Sequence, residues 1–167
     1  MSTIATLLGL RSSTMTPVPC LAPYHAIFNF MFAYVFLSSR MLKSSYGIDH
    51  NVNPREDVAR FGERAVQEGK ITRKQLNLLK RNEAAHANAM EHFPVFIGSI
   101  LFAVVAKVPN DTINRACMIY SVARLVYAIA YLAVDKVQLS YIRSLAWWAS
   151  NLSCVYLFWQ SGRALNA

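Results

Sequence analysis

Charge is scarce in this chain. Of its 167 residues only 16% are charged, and the acidic ones number nine, whereas soluble domains run near a quarter charged. With 54% hydrophobic residues and a positive mean hydropathy, that shortage argues against an ordinary water-soluble domain and points to lipid. Cysteine is scarce too. Cys20, Cys117 and Cys154 stand far apart. No CxxC or histidine spacing accompanies them, so they read as small buried hydrophobes rather than a disulfide or metal set. No cleavable signal peptide is recognisable: residues 1–10 are apolar but short and lack a basic start. The first membrane segment is expected to serve as the address instead. There is no internal repeat, phosphate loop, dinucleotide fingerprint, Ser-His-Asp set or HExxH.

What the chain does have is basic charge, unevenly placed. The net charge is +8. The basic residues cluster between apolar stretches, which is a membrane-topology pattern and not a nucleic-acid footprint. Four stretches approach the roughly 20 apolar residues a spanning helix needs: 21–42, 84–108, 113–134 and 141–161. The links "PND" and "DKVQLS" are short, so the helices they join should be antiparallel neighbours. The expected fold is all-α. It is an integral membrane four-helix bundle over residues 21–165, with an N-terminal segment 1–20 and a polar insert 43–83.

That insert holds nine of the seventeen Lys and Arg residues. By the positive-inside rule it is cytoplasmic, the "DKVQLS" link lies with it, and both termini are on the far side. "NVNPRED" reads as a helix start, with Asn53 as cap, Pro54 in the first helical position and Glu56 completing a capping box. This helix should stop at Gly69. Its weak apolar side, Val58, Phe61, Ala65 and Val66, fits a membrane surface, the bundle itself, or a solvated connector. Thr72 with Gln75 repeats the capping signal, and a helix could then run unbroken into the second span. Asn110-Asp-Thr112 is a sequon close to the bilayer. The sequon at Asn151 lies inside a span and should be inert.

"HANAMEHFPVF", residues 86–96, puts Asn88, Glu91 and His92 at the mouth of a hydrophobic run. Charged groups cost roughly 3 kcal/mol each at the centre of a span and usually serve a function there. Asn88 and Glu91 are three apart, which predicts one shared face. Arg124, Tyr127 and Tyr131 follow i, i+3, i+7 on the third span, and Arg143 begins the fourth. These groups can converge on one ligand between helices. Alternatively, Glu91 and Arg124 form an internal ion pair that only locks the bundle. A metal is not expected, since Glu83 with His86 is the single Glu-x-x-His pair and di-iron bundles need two.

Two motifs carry a resemblance. "NAMEHFPVF" resembles the Asn-x-x-Glu followed by an aromatic and Pro of the MAPEG family, the membrane-associated proteins of eicosanoid and glutathione metabolism. "ARLVYAIAY" resembles its Arg-x-x-Tyr/His-x-x-x-Tyr on the third helix, and Arg143-Ser144 resembles the catalytic entry of its fourth. The resemblance spans about residues 21–165. It implies a homotrimer in the endoplasmic reticulum membrane, with glutathione bound between subunits toward the cytoplasm, and a glutathione transferase or peroxidase acting on a hydrophobic small molecule. Glu91 and Asn88 would hold the amine and backbone of glutathione, while Arg124, Tyr127 and Tyr131 would meet its carboxylates and cysteinyl part. Arg40, Arg81 and His92 complete the implied cofactor-binding set. Arg143 and Ser144 would be catalytic. A thiol of pKa ~8.5 is mostly protonated at neutral pH and attacks only as thiolate, which a permanently charged guanidinium stabilises. Trp147, Trp148 and Phe158 either line a substrate slot or pack and anchor at the interface. Ala84 stands where many members carry Arg, Trp147 where some carry Tyr, and the "GIDHNVNPRED" insert is longer than in the short members. The resemblance also leaves open an isomerase or cyclase and a non-enzymatic lipid-binding protein.

Overall fold

The computed structural model describes residues 4–9, 17–134 and 137–167. Parts of the N-terminal segment, and Asp135 and Lys136 of the "DKVQLS" link, lie outside them. The elements are α1 (Ile4–Leu7), α2 (Ala22–Met31) continuing into a π-helical turn (Phe32–Phe36), α3 (Arg40–Ser45), α4 (Asp57–Gln67), α5 (Arg73–Val105), α6 (Asn110–Ala133) and α7 (Val137–Leu165). The chain is all-helical among the described residues.

α5 organises the rest. Thr72 accepts from the Gln75 amide at 3.2 Å while the Gln75 side chain accepts from the Thr72 amide at 2.7 Å. This is the capping box read in the sequence, and the helix then runs 33 residues without a break. At 1.5 Å per residue that is about 50 Å, against a hydrocarbon core of about 30 Å. The surplus is its polar N-terminal part, and α4 docks there. Val58 and Ala65 of α4 pack with Ile48, Ile71, Leu76 and Leu79, so the weak apolar side of the insert helix rests on its own chain. Outside this small core, Lys80 (3.0 Å) and Arg73 (2.6 Å) grip Glu63 and hold its carboxyl below the usual range, Lys80 contributing most. Both helices end in a Schellman turn. Gly69, at φ +71°, closes α4 as expected, and Lys107, at φ +57°, closes α5.

One expectation needs correction. α4 begins at Asp57, after Glu56 with no side-chain cap, and not at Pro54. The Pro54 carbonyl is taken by the Lys43 ammonium, and buried Asp57 turns back to accept from the His50 amide at 3.0 Å. Of the four spans expected from the sequence, two are supported by length and composition. Among the described residues, only α5 and α6 are long and apolar enough to cross a membrane by length and composition. The first stretch is not one helix, because the π-helical turn and the Leu37–Ser39 break divide it. α7 is long, but Ser, Asn, Gln and Trp dilute its apolar run.

Many buried positions along α5 and α6 are small, Ala85, Ala89, Ser99, Ala103, Ala116, Ala123, Ala128 and Ala130, and they alternate with larger buried side chains such as Phe96 and Tyr120. Large side chains such as Leu101, Phe102, Val105, Ile119 and Ile129 face outward. Small residues let membrane helices approach closely, and outward aliphatics suit lipid. Cys117 and Cys154 are buried and free, as small hydrophobes.

Polar side chains stitch α2 to α6. The Ser121 hydroxyl donates to the Cys117 carbonyl at 2.8 Å and accepts from His25 Nδ1 (2.9 Å) and Asn29 Nδ2 (2.8 Å). Asn110 donates to the Val18 carbonyl at 2.8 Å, so the nitrogen a glycan would join is engaged. Fully buried Asn114 accepts from the Leu21 amide and donates to the Gly9 and Pro19 carbonyls, each at 2.8 Å. Gly9 is needed there: its φ is +63°, and a Cβ would strike the Asn114 amide. Asn114→Ala leaves these three backbone groups unmet and should cost about 1–3 kcal/mol. Limited proteolysis should then cut near residues 17–21, and wild-type resistance in the variant would contradict this anchoring.

Candidate functional site

Three residues along a helix turn about 300°, so Asn88 and Glu91 diverge by about 60°. The boundary between two sides of α5 falls between them. Glu83, His86, Ala87, Met90 and Glu91 line a cavity of about 550 Å³ with Ser38, Ser39, Arg40, Lys43, Pro54 and Arg55. That volume lies within the roughly 300–1,000 Å³ of small-molecule sites. Asn88 instead belongs with the third span and accepts from Arg124 Nη2 at 2.9 Å.

The cavity is held open by local structure. His86 Nδ1 donates to the Ala33 carbonyl at 2.9 Å, and Asn82 donates to the Leu37 carbonyl at 3.0 Å. Both acceptors lie where the first helix loosens and ends, so α5 satisfies backbone groups that the irregular turn frees. Pro94 offers no amide to the Met90 carbonyl one turn earlier. Lys43, only 3% exposed, bonds Glu83 at 3.1 Å as well as Pro54. Arg40 reaches Asp49 at 3.4 Å and Asn51. Glu91, exposed, has no ion-pair partner among the described residues.

On the other side Arg124, 2% exposed, sits in the helix core. Its guanidinium lies 4.6 Å from the Tyr127 ring centroid, and Nη1 has no hydrogen-bond partner among the described residues. Tyr127 and Tyr131 are 5.2 Å apart. Arg143, from α7, lies 4.5 Å over the Tyr131 ring. The result is an aligned row of guanidinium, two phenols and guanidinium, with no carboxylate paired to either arginine among the described residues. The i, i+3, i+7 reading of α6 is what builds it.

The family model for the MAPEG family matches residues 20–163, most of the chain. The chain belongs to the MAPEG family. No curated protein and no solved structure matches it significantly. Membership places this MAPEG protein among the membrane-associated proteins of glutathione and eicosanoid metabolism.

Within one chain of this MAPEG protein the expected residues fall into two groups. Arg40 and Glu91 share the cavity. Asn88, Arg124, Tyr127, Tyr131 and Arg143 form the row, and none of them lines the cavity. The Glu91–Arg124 ion pair does not form, because Arg124 turns to Asn88. His92 is buried behind the row, 3.2 Å from the Tyr120 hydroxyl. Arg81 donates to the Leu132 carbonyl at 3.3 Å, near the end of α6, and is not at the cavity. Ser144 is exposed on α7. Arg55 and Lys43 were not singled out in the sequence. Their charge was visible, but which of nine insert cations reaches α5 depends on how the loop folds back.

Proposed function

We propose that the protein is a membrane-bound glutathione transferase or peroxidase that activates the glutathione thiol for attack on a lipophilic electrophile. The observation that carries this reading is Arg143. It is a guanidinium stacked on Tyr131, next to Tyr127 and Arg124, and unneutralised by any carboxylate among the described residues. Such a charge favours the thiolate over the thiol. Each unit of thiol pKa depression corresponds to about 1.4 kcal/mol of preference for the anion. Ser144 would add a hydrogen bond to sulfur. With an aryl halide, the thiol proton leaves to solvent, sulfur bonds to the ring carbon and halide departs.

Glu91 and Asn88 take the amine end and backbone of glutathione, and Arg124, Tyr127 and Tyr131 its carboxylates and cysteinyl part. Because the two groups occupy different sides of α5, a complete site needs a second copy, and this supports a homotrimer with the site between subunits. The bundle is read as four spans, α2 with its π-helical continuation, α5, α6 and α7. The basic insert faces the cytoplasm, at the endoplasmic reticulum membrane.

A second reading is a protein that holds or presents lipid without glutathione chemistry. Its supporting observation is an open apolar groove of about 500 Å³ between α6 and α7, lined by Met118, Val122, Val126, Ile142, Leu145 and neighbours. Calorimetry with glutathione on detergent-purified protein separates the two. Saturable binding is expected, and Glu91→Gln should weaken it about ten- to a hundredfold, the range for losing a hydrogen bond to a charged group. Absent binding favours the lipid reading, and unchanged affinity in the variant removes Glu91 from the site.

A further inference from the structure

The charges around the cavity can be accounted for one by one. Lys43 is spent on Glu83 and Pro54. Arg40 is spent on Asp49 and Asn51. His86 Nδ1 is spent on Ala33. Two full charges of opposite sign remain without a partner among the described residues, Glu91 on α5 and Arg55 on the insert. They border the same cavity, yet they form no ion pair with each other.

Arg55 is not an arbitrary surface cation. Its chain neighbour Pro54 has its carbonyl bound by the buried Lys43 ammonium, which in turn bonds Glu83 on α5. A buried charge with two partners is an expensive feature, and here it pins the loop where Arg55 meets the cavity. A carboxylate and a guanidinium bordering one cavity complement a ligand end that carries an ammonium and a carboxylate on one carbon. Arg is the residue suited to the carboxylate, through paired parallel hydrogen bonds.

We propose that Arg55 binds the α-carboxylate of the γ-glutamyl end of glutathione while Glu91 takes the α-ammonium. The insert thereby becomes part of the ligand site and selects for an intact amino-acid terminus. This rests on the glutathione reading above and divides its carboxylates: Arg55 takes the γ-glutamyl α-carboxylate, and the glycine carboxylate and cysteinyl part stay with Arg124, Tyr127 and Tyr131.

The test is calorimetry on the full-length protein with two ligands, glutathione and γ-aminobutyryl-cysteinyl-glycine, which keeps the amine and lacks the α-carboxylate. Wild type should bind glutathione about tenfold more tightly than the analogue. Arg55→Gln should lose that tenfold for glutathione and bind the analogue as wild type does, and Arg55→Lys should recover part of the loss. If wild type binds glutathione but Arg55→Gln is unaffected, or weakens both ligands equally, Arg55 does not hold this carboxylate while the glutathione reading stands. If wild type binds neither ligand, the reading beneath it fails.

Discussion

Arg143→Ala should lower kcat for conjugation of glutathione to an aryl halide by about 100-fold, the scale of removing one preorganised donor to a developing or resident anion. Binding should change far less, because the contact proposed for Arg143 serves the thiolate rather than the peptide ends. The sign follows from the chemistry. In the proposed role the guanidinium lowers the pKa of the bound thiol, so its removal should raise that pKa and move the midpoint of the rising limb of kcat to higher pH. Arg143→Lys keeps a charge but loses the stack on Tyr131 and the planar fork, so it should fall between the two. The thiolate absorbance of the bound peptide in the ultraviolet, titrated with pH, reads the shift directly. An unmoved profile together with full turnover would take Arg143 out of the reaction.

The second large effect is expected at Arg124, where stability and function should separate. A guanidinium that is 2% exposed, bonded to one neutral amide and with Nη1 unmatched, is poorly compensated for its loss of water. Replacing buried charges by apolar side chains of similar volume is often neutral or stabilising. Arg124→Met should therefore leave the melting midpoint unchanged or raise it, at about 2–4 °C per kcal/mol for a chain of this size. Glutathione binding should fall at least tenfold. A residue that only locks the bundle predicts the reverse, a lower midpoint with binding retained. Seeing that reverse pattern would assign Arg124 to architecture.

Local signals in the sequence were legible wherever one stretch of chain decides the outcome. The Thr72–Gln75 capping box, the stop at Gly69 and the face shared by Arg124, Tyr127 and Tyr131 all lie within a few turns of one helix. The start of α4 was misread because its caps face competition from distant groups. Lys43, eleven residues earlier, claims the Pro54 carbonyl, and His50 claims Asp57. The first apolar stretch reads as one span by composition, yet it breaks at a π-helical turn whose loosened end is satisfied by His86 and Asn82, some fifty residues away. Asn88 and Glu91, read as sharing one face, diverge by about 60° and fall on different sides of α5. That angle is small for a spacing rule, but it straddles the line between the cavity and the helix core.

By itself the sequence determined an all-helical chain, the long second and third helices, their polar residues and the MAPEG membership. The helices and their polar faces follow from composition and from short-range helical geometry, which each residue type largely specifies for itself, and the membership follows from the family match over residues 20–163. Only the tertiary structure decided which charges are spent on one another, that Arg124 takes Asn88 and leaves Glu91 free, and that the insert returns Arg55 to the side of α5. Those outcomes depend on contacts between residues far apart in the chain, where the cost of leaving a buried polar group unmatched chooses among partners that look equivalent in sequence.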